Sequence, residues 1–95
     1  MKLIVKKSNK PEKKYDAIFD DDGHKKTISF GATGYTDYVL SGDKMKRDRY
    51  IKRHHHHENF NDKMSAGALS RWILWGNSTS LKQNISDYKK RFHLQ

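Results

Sequence analysis

The chain has no cysteine, a single proline and only short apolar runs, of which "LIV" and "WILW" are typical. Without cysteine there are no disulfides and no thiolate metal sites. A bridge-stapled secreted miniprotein is therefore not expected, and a reducing compartment fits. The apolar run Leu3–Val5 in "MKLIVKKSNK" is too short for a signal peptide, and no later run could span a bilayer. A soluble protein with no membrane partner is the expectation. Acidic residues are scarce as well: 11 Asp and Glu face 20 Lys and Arg, a net charge of +9. That excess points to a polyanion partner, with a basic surface kept for solubility as the alternative. Only residues 15–23 are acidic on balance. Residues 1–14, 44–64 and 65–95 each carry an excess of Lys and Arg.

With 95 residues the chain has room for one domain spanning 1–95 and one modest core. Its 12% aromatic content argues for a fold throughout. "KLIVKK" reads as a short strand, broken by the polar stretch around Pro11. "KYDAIFDDDGHKKTISF" reads as a hairpin. Tyr15, Ala17 and Phe19 alternate onto one face, Asp22-Gly23 suits a turn that needs positive φ, and Ile28 and Phe30 resume the alternation. The same "DDDG" fails as a calcium loop, since placing Gly23 at the sixth position puts Ile18 where the first ligand must be. "FGATGYTDYVLSGDK" suggests turn glycines at 31, 34 and 42 around another extended piece, "YTDYVL". "GATG" has the spacing of a KH-type backbone clamp but follows a strand instead of joining two helices, and no Gly-Lys-Ser/Thr makes it a P-loop.

From Asp43, a candidate cap, the pattern turns helical, with Met45, Arg49, Tyr50 and Ile51 on a narrow stripe; this helix should run into the histidines and end at "ENFND". Ser65 starts a second helix, "SAGALSRWILWG", with Ala68, Leu69, Trp72 and Ile73 on one face and Gly76 at its end. In "STSLKQNISDYKKRF" a capping box of Ser80 and Gln83 precedes Leu81, Ile85, Tyr88 and Phe92 at helical spacing.

The chemistry-bearing stretch is "RYIKRHHHHENFND". Adjacent helical residues lie about 100° apart, so His54 with His57, or His54 with Glu58, could share a metal ion, while all four histidines could not. A third ligand would have to be His24, Asp62 or His93, so neither a metal site nor any other cofactor is expected. The bland alternative is a solvated helix end where imidazolium meets the negative helix pole. "HHEN" lacks the spacing of an HNH nuclease, and no Ser-His-Asp order, paired acidic motif or phosphate cradle is present, so no enzyme is expected. The larger physical warrant lies with nucleic acid. Lys44, Lys46, Arg47, Arg49, Lys52 and Arg53 crowd about three helical turns. Lys89, Lys90 and Arg91 crowd the end of the last helix, and the N-terminal lysines form a third group. Trp72 and Tyr88 could stack on bases, but their spacing assigns them to the core.

Taken together, "KKYDAIF", "FGATGYTDY", "DRYIKRH", "AGALSRWILW" and "ISDYKKRF" resemble a family of small basic proteins encoded by giant viruses, the nucleocytoplasmic large DNA viruses. The resemblance implies a viral setting, in the virion and in the host cytoplasm during infection. It brings no activity and no site residues. The histidine run departs from the mixed basic and polar residues associated with that stretch.

These readings converge on an α+β fold: a small antiparallel sheet of three or four strands from the N-terminal half, packed against two or three C-terminal helices. Leu69, Trp72, Ile73, Leu81, Ile85, Tyr88 and Phe92 should form the helical side of the core. The expected function is that of a small basic virion protein binding DNA through its phosphates with little sequence preference. The alternative is a structural protein that contacts other virion proteins, or a second copy of itself through "SRWILWG".

Overall fold

The computed structural model describes residues 1–95. It is an α+β domain in which the N-terminal half forms a three-stranded antiparallel sheet and the helices follow. Strands β1 (Lys2–Lys7), β2 (Lys13–Asp21) and β3 (His24–Ala32) lie side by side in that order. The hairpin expected from Asp22-Gly23 is present. Asp21 pairs with His24 across two residues of positive φ (55° and 92°), and the Asp20 carboxylate accepts from the Gly23 N–H at 2.9 Å.

Alternation sorts the sheet into two faces. The rows Leu3–Phe19, Val5–Ala17–Ile28 and Tyr15–Phe30 turn toward the helices, while Lys2–Asp20–Lys25, Ile4–Ile18–Thr27 and Lys6–Asp16–Ser29 face outward. On that outer face the Ser29 hydroxyl donates to Asp16 at 2.6 Å. Hydrogen bonds from Ser29 and Ser8, with Lys10 and Lys6 nearby, hold the Asp16 carboxyl below its ordinary range. The free edge of β1 is covered by the end of the chain: Leu3 N donates to the Gln95 carbonyl at 2.8 Å, and Gln95 N to that of Met1 at 2.9 Å.

"YTDYVL" is not extended. Asp37 caps a short helix, α1 (Tyr38–Ser41), by accepting from Leu40 N at 2.9 Å. Six residues are too few to distinguish a period of 2 from one of 3.6, and the cap decides. Helix α2 (Lys44–His54) starts at the expected cap, where Asp43 accepts from the N–H groups of Met45 and Lys46. It stops earlier than "ENFND", so only the first histidine is helical. Its apolar stripe is narrower than expected, with Tyr50 buried and Met45 72% exposed.

Helix α3 (Ala66–Leu69), capped by Ser65, widens at once into a π-helical turn, Ser70–Leu74, closed by Trp75 N donating to the Ser70 carbonyl at 2.9 Å. The widened turn brings Arg71 and Leu74 inside together with Ile73. Helix α4 (Leu81–Arg91) begins at Ser80, which accepts from Gln83 N. The reciprocal half of the capping box is absent, because the Gln83 amide donates to Asp87 at 2.8 Å instead.

The core joins Leu3, Ala17, Phe19 and Phe30 of the sheet to Leu69, Ile73, Leu74, Tyr88 and Leu94. Each such large side chain contributes on the order of 1.5–3 kcal/mol by leaving water. All seven helical residues expected in this core pack there, Leu69, Ile73 and Tyr88 fully and the others partly. Asn84 is fully buried among them without warning from the apolar pattern. Its amide donates to the carbonyls of Ile73 (2.8 Å) and Ser78 (2.7 Å) and accepts from Ser78 N (3.1 Å), fixing the loop between the π turn and α4. Gly31 is not a turn glycine. It sits in β3 with φ of 80°, and a Cβ there would lie 2.8 Å from Leu74 Cδ1, so the close approach of the π turn to the sheet requires its absence.

Candidate nucleic-acid interface

The six basic residues of α2 are not equivalent once the helix is docked. Tyr50 is buried, stacked on Trp75 (4.4 Å between ring centroids, 5° between planes) and on His54 (4.2 Å). Burial, reinforced by Glu58, pushes the Tyr50 hydroxyl up to about 12. This anchor fixes the rotation of the helix. Lys46, Arg49 and Arg53, spaced by three and four residues, then line a depression of about 460 Å³ beside Tyr35 and Trp75. Lys44 and Lys52 do not line it and are exposed. Arg47 is committed to the fold: its Nε donates to the Gly76 carbonyl at 2.7 Å, its Nη2 to the Asn77 side chain at 2.6 Å, and the guanidinium lies over Tyr38.

The depression beside α2 does not stand alone. It shares Tyr35, Tyr50, Arg53 and Trp75 with a cavity of about 400 Å³ between the end of the sheet and α3, lined also by Lys13, Lys14, His54 and Glu58. That cavity in turn shares Lys13, Lys14 and Asp37 with a third depression, about 480 Å³, under the β1–β2 loop, where Lys7 and Lys10 enter. These three hollows with shared walls, together called the trough below, are lined by seven Lys and Arg against two carboxylates, Asp37 and Glu58. Asp37 is neutralised by Lys14 at 2.6 Å, and Glu58 stands 3.5 Å from His54 Nδ1. Among all lysines and arginines, Lys14 and Arg47 alone stand within ion-pair distance of a carboxylate, so the remaining cations of the trough are unpaired.

The α4 cluster lies elsewhere. Lys90 and Arg91 line a separate hollow with Trp72 and Asp87, and the Arg91 guanidinium sits 3.5 Å over the Trp72 ring. Lys89 is half-buried. Arg71 is largely buried and also lies over Trp72, at 4.1 Å, donating to the Trp75 carbonyl at 2.8 Å. Burial, with Arg47 and Arg91 nearby, pulls the Arg71 guanidinium down to about 10. The basic groups of α2 and α4 therefore share no groove. Sequence reasoning placed the N-terminal lysines in a basic group but did not connect them to α2, and it missed Tyr35, Trp75 and Arg71. A tyrosine directly after the turn glycine Gly34 was the one available signal for Tyr35.

Of the metal candidates, His54 and Glu58 meet, whereas His57 is exposed beyond the helix and no three His, Asp or Glu side chains converge anywhere in the chain. His24 lies at the hairpin turn and His93 follows α4 with φ of 56°, far from that pair in the fold order. No helix is long and apolar enough to cross a membrane.

Fold and site together define a small α+β domain with a basic, aromatic-lined trough at one end of its sheet. The chain belongs to the family of unknown function DUF5754, whose family model matches residues 3–54. The matched stretch holds the sheet but for Lys2, together with α1 and α2, and with them every lysine and arginine of the trough. It stops before "AGALSRWILW" and "ISDYKKRF". Searches of curated proteins and of solved structures found no match.

Proposed function

We propose that this protein binds nucleic acid, DNA in the first place, through phosphate contacts with little sequence preference. One observation carries the reading: Lys7, Lys10, Lys13, Lys46, Arg49 and Arg53, from distant parts of the chain, line these connected hollows, and none stands within ion-pair distance of a carboxylate, Lys10 alone acting on one, Asp16, from further off. A fold that wanted charge only for solubility would have no reason to gather unpaired cations around connected hollows, where their mutual repulsion costs stability. Phosphates offset that repulsion and release counterions on binding. The sequence resemblance to giant-virus proteins adds the setting, a virion component that helps to organise the genome.

The structural alternative finds less support. In "SRWILWG" Ile73 and Leu74 are buried in the chain's own core and Arg71 is buried as well, which leaves the half-buried Trp72 and Trp75 as the apolar surface this segment offers to a second copy.

A salt titration of binding to duplex DNA tests the proposal. Binding at low salt should weaken steeply as salt rises, with a slope of log K against log salt of about −0.9 per phosphate neutralised. Affinity that is absent at low salt for duplex and single strand alike, or indifferent to salt, overturns it.

A further inference from the structure

We infer that the trough takes a single strand of nucleic acid, one of whose bases stacks on Tyr35. This rests on the nucleic-acid reading and narrows its ligand. Tyr35 is 74% exposed, one of the most exposed large apolar side chains in the molecule, although both of its backbone polar groups are hydrogen-bonded. Its N–H donates to the Ala32 carbonyl at 3.3 Å and its own carbonyl accepts from Lys14 Nζ at 2.6 Å, while Lys14 is pinned in turn by Asp37. Tyr35 lines two of the hollows, with Arg53 lining both and Lys46 and Arg49 lining one.

Cations that follow a backbone, interrupted by an exposed aromatic ring, are the combination that single strands require. Phosphates meet the guanidinium and ammonium groups, and a base supplies a π-face to the tyrosine whatever its identity. Duplex DNA has its base faces covered by neighbouring pairs and offers nothing to Tyr35. It also cannot descend into hollows of about 400–480 Å³, so it reaches only the cations on the rim. DNA and RNA strands share this chemistry.

The test is fluorescence anisotropy on the full chain with labelled oligodeoxythymidylate, oligouridylate and a mixed-sequence duplex, the first two separating DNA from RNA as the source. At low salt at least one single strand should bind on the order of tenfold more tightly than the duplex. Tyr35→Ala should weaken single-strand binding by roughly tenfold, leave duplex binding within about twofold, and keep the salt slope, since no charge is lost; Tyr35→Trp should restore the affinity. Because the ring is exposed, circular dichroism should show both variants folded as the parent. Tighter duplex binding, or a Tyr35→Ala variant that binds single strands like the parent, overturns this inference and leaves the phosphate-binding reading standing. No binding to any of the three probes at low salt brings down both.

Discussion

Along α2, Lys46, Arg49 and Arg53 stand beside a trough with no anionic partner, whereas at the end of α4 Arg91 lies over Trp72 and the neighbouring Arg71 is buried beneath the surface. Both regions are basic in sequence, with six Lys and Arg in α2 and four in α4. What separates them is what the cations meet once each helix is docked. Tyr50 docks α2 by an aromatic stack and leaves the adjacent flank of cations free; around Trp72 the cations themselves cover the aromatic ring. Similar-looking runs of Lys and Arg thus differ in what their side chains touch: an open hollow along α2, an aromatic ring at the end of α4.

The comparison can be broken most directly by neutralising each cluster. Lys46, Arg49 and Arg53 changed together to Gln should cost roughly a hundredfold in affinity at low salt and make the duplex salt slope shallower by about 2 to 3, while the same change at Lys89, Lys90 and Arg91 should cost less than about tenfold. Equal losses in the two triple variants, read from salt titrations, would erase the distinction. Next in size is Arg71→Ala, expected to destabilise the fold by about 2 kcal/mol in urea unfolding, through lost packing on Trp72 and a stranded Trp75 carbonyl, without altering the salt slope of binding.

A smaller effect concerns the anchor. Ionisation of Tyr50 is disfavoured in the fold by burial and then by Glu58, so its pKa lies above the unfolded value. Its contribution is complete below pH 10 and is lost as pH rises from 10 toward 12. Tyr50→Phe should flatten the fall in melting temperature across that interval. Asp16 runs the other way: its folded pKa lies below the ordinary 3.8, so its contribution is present above that pH and is lost as pH falls below it. Asp16→Asn should slightly reduce acid sensitivity, the smallest change of the set.

Which of these features could be read in the sequence follows from how local they are. The β2–β3 hairpin, the Asp43 and Ser80 caps and the buried stripe of α4 each depend on residues within a few positions, and each was legible. The π turn was not, because "SAGALSRWILWG" fits ordinary helical spacing and only the bond from Trp75 N to the Ser70 carbonyl, set by packing on Gly31 and the sheet, reveals the extra residue. The α2 cations were visible as a cluster, but the split between Arg47, spent on Gly76 and Asn77, and Arg53, free in the trough, depends on helix rotation about Tyr50. The junction of Lys13 with Arg53 spans forty positions of chain and has no local trace.

The two tryptophans fall one on each side of this divide. Trp75 is stacked within 4.4 Å of Tyr50 at the trough, and Trp72 lies under the guanidiniums of Arg71 and Arg91. With Trp72→Phe the remaining indole becomes an optical reporter of the α2 side alone, and with Trp75→Phe of the α4 side. The protein thus carries its own pair of intrinsic probes, through which a ligand arriving at one face can be told by emission from a ligand arriving at the other.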